Sequence, residues 1–158
     1  MVRLNFSVFK EKLLDGTKQQ TMRKSDAKRD EFIRLIKRGR RIQVYWKCNS
    51  FYDCEYLFEA LYVDDCYAWF VVRHDGHGLR NGIGLCLSLT PPLMPLDKYV
   101  DGQCVSPKPL TKREADGFAK ADGFKDFNDM VAWFRAKYGD GFIEPVYRVI
   151  RFRRVGHG

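Results

Sequence analysis

The sequence predicts one α+β domain with about five or six strands and about four helices. Three observations carry that expectation. Short runs rich in β-branched and aromatic residues, such as Ile42-Gln43-Val44-Tyr45-Trp46-Lys47, alternate with amphipathic windows such as Phe127 to Tyr138. Each helical window opens on a Ser, Thr or Asp and closes near a glycine. The 158 residues hold no internal repeat, low-complexity tract or linker, and a chain of that length can bury a real core as a single domain.

Leu4-Asn5-Phe6 reads as a first short strand. Ser7 is placed to cap a helix from Val8 to Asp15, and Gly16 stands just past its end, where a left-handed backbone carries no Cβ penalty. Thr21-Met22-Arg23 is then extended. Ser25 or Asp26 caps a second helix through about Arg38, ended by Gly39. Phe32, Leu35 and Ile36 give it an apolar stripe, and Lys28, Arg29, Arg34, Lys37 and Arg38 occupy its other faces. In the strand Ile42 to Lys47, Gln43, Tyr45 and Lys47 share one face while Ile42, Val44 and Trp46 share the other. Two strands, about Tyr56 to Val63 and Tyr67 to Arg73, read as a hairpin turned by Asp64-Asp65-Cys66. A further strand runs from about Ile83 to Leu89.

Thr90 to Leu110 contains five of the six prolines and is longer than an ordinary connector, so it reads as a lid-like functional loop or an irregular wrap. Thr111-Lys112-Arg113-Glu114 is a capping box that starts a helix ending near Lys120. Asp122-Gly123-Phe124 turns the chain, and Asp126 caps the last helix. Phe127, Met130, Val131, Phe134 and Tyr138 form its buried stripe, and Gly139 ends it. Pro145 precedes a final strand, Val146 to Arg153.

Hydrophobic residues make up 45% of the chain, with 12 Phe, 8 Tyr and 3 Trp, which argues for a packed interior and against disorder. No apolar run approaches the ~20 residues needed to span a membrane. Met1 to Phe6 lacks the apolar core of an export signal, so the expectation is a cytoplasmic protein with no membrane partner. Cys48, Cys54, Cys66, Cys86 and Cys104 are odd in number and scattered, which argues against a disulfide framework or a zinc knuckle and for small buried apolar residues. His74 and His77 bracket Asp75 in a glycine-rich loop, but a metal would need further ligands, so no metal is expected. There is no glycine-rich phosphate loop, Rossmann fingerprint, paired-carboxylate motif or Ser-His-Asp order, and no cofactor is implied. A monomer is expected.

The net charge of +8 is unevenly spread. Residues 1–47 carry 14 basic and 5 acidic side chains, residues 48–145 carry 10 and 15, and residues 146–158 add four arginines and no acid. Basic ends thus flank an acidic middle. If the ends adjoin in space they make one basic face, the footprint of a polyanion partner.

The stretch Gly16-Thr17-Lys18-Gln19-Gln20-Thr21-Met22-Arg23 concentrates the chemistry. Thr21 and Arg23 point to one face of an extended segment, and Lys18 can reach back from the preceding turn. An ammonium, a hydroxyl and a guanidinium around one small space suit an anionic or carbonyl-bearing ligand. This Gly-x-Lys-x-x-Thr-x-Arg pattern after a short helix resembles the ASCH domain family of the PUA-like superfamily. The basic-aromatic strand Ile42 to Lys47, the Asp122-Gly123-Phe124 turn before an amphipathic helix, and the closing basic strand Tyr147 to Arg154 extend the resemblance over most of the chain.

The resemblance implies a PUA-like mixed β-barrel with the motif in a cleft between barrel and helices. It also implies nucleic-acid binding, with RNA favoured over DNA. Lys18, Arg23, Lys24 and Lys47, with basic residues of the second helix and of the last strand such as Arg151, would then hold phosphates and Tyr45 would stack on a base. Some small ASCH proteins instead remove the acetyl group from acetylcytidine, which makes a modified nucleoside the alternative ligand. Their lysine and threonine match Lys18 and Thr21, and their glutamate corresponds to Asp122, one methylene shorter. A threonine hydroxyl needs a base to take its proton, and a lysine can be that base once burial or a nearby cation lowers its pKa.

Overall fold

The computed structural model describes residues 2–47, 54–74, 82–92, 99–101 and 108–156. Among them seven strands form one mixed sheet: β1 (Val2–Phe6), β2 (Gln20–Lys24), β3 (Arg41–Trp46), β4 (Glu55–His74), β5 (Gly82–Ser88), the three-residue β6 (Tyr99–Asp101) and β7 (Tyr147–Arg154). The helices are α1 (Lys10–Leu14), α2 (Ala27–Gly39), α3 (Lys112–Ala121) and α4 (Phe127–Tyr138), the last running into a 3-10 turn at Gly139–Ile143. The path across the sheet is β1-β3-β4-β7-β2, with β5 and β6 also on β4. Only β1–β3 and β4–β6 are parallel. The sheet curls into a partial barrel with helices around it, the α+β architecture expected.

The 20-residue strand β4 is the spine. Its first half pairs with β3, its middle with β7, and its second half with β5 and β6. The expected hairpin at Asp64-Asp65-Cys66 does not form, and the chain runs straight through with an irregularity between Tyr62 and Asp64. The acidic pair is accommodated because β7 lies opposite. Asp64 pairs with Arg151 at 3.1 Å, and Asp65 pairs with Arg148.

Alternation along the strands separates two cores. On one face Met22, Phe70, Tyr147 and Val149 pack with Phe118, Phe134 and Phe142, under α3 and α4. On the other Leu4, Phe6, Ile42, Val44, Ile150 and Phe152 pack with Leu13, Ile33 and Ile36, under α1 and α2. Strand β7 is covered on both faces, so Tyr147 through Ile150 are all buried.

The caps of α2, α3 and α4 are as expected: Asp26, the Thr111–Glu114 capping box and Asp126. Two helix ends differ. Helix α1 starts only at Lys10, and Phe9, not Ser7, stands at its N-cap with φ 64°. Helix α2 includes Gly39, and Arg40 takes the left-handed turn. Cys66 and Cys86 are buried thiols, while Cys54 is disulfide-bonded. Asp75 and His77, and most of the proline-rich stretch Thr90 to Leu110, lie outside the described residues. Among the described residues no helix is long and apolar enough to cross a membrane.

The Arg148 guanidinium, 6% exposed, bonds Asp65, Asp30 and the Tyr67 hydroxyl. Burial alone would raise the Asp65 carboxyl, but hydrogen bonds from Tyr62, Lys37 and Arg148 outweigh it and hold its pKa below the usual value. A depressed carboxylate contributes stability above its unfolded pKa, near 4, and loses it as pH falls through the folded value. Asp65→Ala should therefore cost about 1–3 kcal/mol in urea unfolding at pH 7, because Arg148 stays buried with only the more exposed Asp30 left as an acidic partner. Adding Arg148→Met should recover much of the loss, and both variants should lack part of the wild-type acid limb.

Candidate functional site

Strand β2 lies at the end of the sheet path, with β7 on one side. The end of α3 comes against the same segment. Gln19 N–H donates to Ala121 O at 2.8 Å, and the Gln20 side-chain amide donates to Phe118 O at 3.1 Å. One docking thus protects an edge strand and satisfies carbonyls that a helix end leaves open. Helix α3 closes at Asp122, and Gly123 follows with φ 101°.

This contact brings together residues 104 positions apart. Lys18 sits in the turn before β2, its backbone N–H bonded to Lys12 O at 2.8 Å. Its ammonium donates both to the Asp122 main-chain oxygen and to the Asp122 carboxylate. Lys18 and Asp122 are each only 4% exposed. The Phe6 and Phe9 rings flank the ammonium at 5.5 Å each. Glycine at 123 is required twice over. Its φ is positive, and a Cβ there would stand 3.0 Å from the Phe9 ring and 3.4 Å from the Lys18 chain. Phe9 itself holds a left-handed backbone that is rare for a bulky residue, and packs edge-on against Phe124 with centroids 4.9 Å apart.

Burial pulls the Lys18 ammonium down, the Asp122 carboxylate pulls it back up, and Arg23 and Lys12 lower it further; the net direction is down. Burial pushes the Asp122 carboxyl up, against Lys18, Arg23 and the Met22 backbone N–H; the net direction is up. The two affinities for protons are thus drawn toward each other. Burial first, then the neighbouring Arg29, bring Arg23 down to about 10, so it stays charged at neutral pH. The Arg23 guanidinium donates to Asn5 O and lies 5.5 Å from the Phe6 centroid.

Lys18 and Asp122 form one side of a cleft of about 390 Å³. Thr21, Arg23 and Lys24 line it too, with Arg29 from α2 and Trp133, Lys137 and Tyr138 from α4. Among the described residues no hydrogen bond joins the Thr21 hydroxyl to Lys18 or Asp122. No group of His, Cys, Asp and Glu among them is arranged to hold a metal ion.

The structure therefore brings Lys18, Thr21, Arg23, Lys24 and Asp122 to one place. It leaves the other three sequence-predicted residues outside the cleft walls. Tyr45 packs against Tyr56 with centroids 5.5 Å apart, under the Arg3 guanidinium. Lys47 is tied by its backbone N–H to Phe6 O at 2.8 Å. Arg151 is occupied by Asp64. Sequence reasoning offered Arg29 only among the basic residues of the second helix, and missed the α4 trio as lining residues. The available signal was Trp133 and Lys137 at a spacing of four on one helix face, an aromatic and a cation side by side.

No family model, curated protein or solved structure matches the chain.

Lys18→Met leaves Asp122 buried without its ammonium and should cost about 3–5 kcal/mol; Lys18→Met with Asp122→Leu should recover most of it. A raised carboxyl contributes stability that is lost as pH rises from the unfolded value toward the folded one. Urea midpoints of Lys18→Met should therefore fall from about pH 4 upward more steeply than those of the wild type, and the double variant should lose that slope.

Proposed function

We propose that this chain is an RNA-binding domain of the ASCH type, within the PUA-like superfamily, and that its cleft receives one unstacked nucleotide. The observation that carries the reading is the convergence of Lys18, Thr21 and Arg23 of the Gly-x-Lys-x-x-Thr-x-Arg motif, with Asp122 bonded to Lys18, in a cleft that also holds Trp133 and Tyr138. Aromatic faces beside cations are the usual means of holding an unpaired base and its backbone. Lys18 is too buried, and too committed to Asp122, for an outer phosphate, so Arg23 and Lys24 take that part. A neighbouring nucleotide reaches Tyr45 and Lys47, since Tyr45 is in register with the cleft-lining Asn5. A cytoplasmic location accords with this role.

Fluorescence anisotropy with labelled single-stranded RNA across a salt series tests the reading. The log–log slope is about −0.7 per phosphate contacted, so about four to six contacts give roughly −3 to −4. Arg23→Gln and Lys24→Gln should each weaken binding and flatten the slope by about 0.7. Trp133→Ala should cost about 1–3 kcal/mol with little change in slope. Binding that ignores all three substitutions would show a generic basic surface instead.

A second reading, an amidohydrolase acting on acetylcytidine, is favoured by the Lys18–Asp122 pair beside Thr21. In that reaction Lys18 first passes one ammonium proton to the Asp122 carboxylate; the neutral amine then takes the hydroxyl proton as the Thr21 oxygen attacks the acetyl carbon, and gives it to the leaving amine. Water then cleaves the acyl ester and releases acetate. Arg23 would face the developing oxyanion. Thr21→Ala should abolish acetate release, and Thr21→Ser should retain part of it. Folded wild-type protein with no turnover of acetylcytidine would remove this reading and leave RNA binding standing.

A further inference from the structure

The cleft has two chemically different ends. At the inner end the charges are matched, Lys18 against Asp122. Toward the rim, from the half-buried Arg23 out to the exposed Lys24 and Lys137, they are not. Arg23, Lys24, Arg29 and Lys137 line the cleft with one further carboxylate, Asp26, and that carboxylate caps α2 by accepting the Arg29 backbone N–H at 2.7 Å. Among the described residues none of the four cations pairs with an acid. Elsewhere arginines do: Arg34 with Glu31, Arg41 with Glu59, Arg148 with Asp65, Arg151 with Asp64.

The rim cations are also gathered. The Lys24 and Lys137 ammonium groups stand 4.5 Å and 5.4 Å from the centre of the same Tyr138 ring, and Lys137 stands 4.7 Å from that of Trp133. Arg29 is close enough to Arg23 to disfavour its charge, and the Arg29 Nε is buried with no hydrogen-bond partner. Like charges held together with a buried donor unsatisfied are costly unless an anion joins them.

We infer that Arg23, Lys24, Arg29 and Lys137 form a phosphate-monoester subsite at the rim, so that the ligand of this cleft is a phosphorylated nucleoside. The inference rests on the nucleotide reading above and adds the terminal phosphate. A monoester carries about −1.5 to −2 charge at pH 7 and three acceptor oxygens, which match two guanidinium and two ammonium groups better than the single charge of a backbone diester. The same chemistry is offered by a free nucleotide and by the phosphorylated end of an RNA strand.

Titration of tryptophan fluorescence with the four common ribonucleosides and their 5′-monophosphates tests this, with Trp133 as the reporter in the cleft. At least one monophosphate should bind about tenfold or more tightly than its nucleoside, since a charge-assisted contact is commonly worth that factor. The advantage should shrink to about twofold or less in Arg29→Gln and in the exposed pair Lys24→Gln/Lys137→Gln, each checked for folding by circular dichroism. A 5′-phosphorylated oligoribonucleotide that outcompetes its 5′-hydroxyl form points to RNA ends, and equal binding of the two points to free nucleotides; either supports the subsite if the monophosphate advantage is present. Equal binding of nucleoside and monophosphate overturns the inference and leaves the nucleotide reading intact. Binding of single-stranded RNA without any mononucleotide binding overturns the inference alone. Absence of binding by nucleosides, nucleotides and RNA overturns both.

Discussion

The contact on which the rest of the site depends is the docking of the α3 terminus on the β2 segment. It is built from backbone groups that the isolated elements leave unsatisfied, and it is locked by the buried Lys18–Asp122 pair. Water is excluded from both charges, so the pair is held by its geometry and its second bond, from the ammonium to the Asp122 main-chain oxygen. A buried ion pair of this kind is weak evidence of stability for its own sake. Its position in a cleft, with proton affinities drawn toward each other, fits a functional use.

Around that pair the chain accepts local strain. Phe9 adopts a left-handed backbone and Gly123 has a positive φ, and a Cβ at residue 123 would stand only 3.0 Å from the Phe9 ring. The arrangement puts an aromatic wall on each side of the ammonium and leaves no room for a side chain at residue 123. Such strain persists only where surrounding packing over-determines it. Here the edge-on Phe9–Phe124 contact and the bond from the Lys12 side chain to the Gly123 oxygen supply that support.

Charge is distributed by topology more than by sequence position. The basic last strand lies beside β4, whose Asp64 and Asp65 take up Arg151 and Arg148. Two arginines of the basic end are thus matched by acids from the middle of the chain, while the two basic ends adjoin where β2 pairs with β7. What remains unmatched in the cleft collects at its mouth, where β2, α2 and α4 each contribute cations. This focusing, on a concave surface, is worth more to an anion than the same charges spread over the exterior.

Local chemistry alone determined much of this protein. The caps at Asp26, Thr111 and Asp126 and the turn at Gly16 were legible because a cap or a positive φ is satisfied within a few residues. The shared face of Thr21 and Arg23 follows from strand alternation, whereas Asp122 was tied to Lys18 and Thr21 only through the family resemblance. Tertiary structure decided the rest. Asp64-Asp65 reads locally as a turn, yet it runs as strand because arginines of β7, more than eighty residues later, pair with it. Tyr45 and Arg151 lie outside the cleft walls because packing sets them beside Tyr56 and Asp64. Lys137 looks like a solvated helix charge until packing brings α4 to the cleft. Neighbours in sequence set the backbone, whereas a side chain's partners are set by which distant element the packing brings within reach.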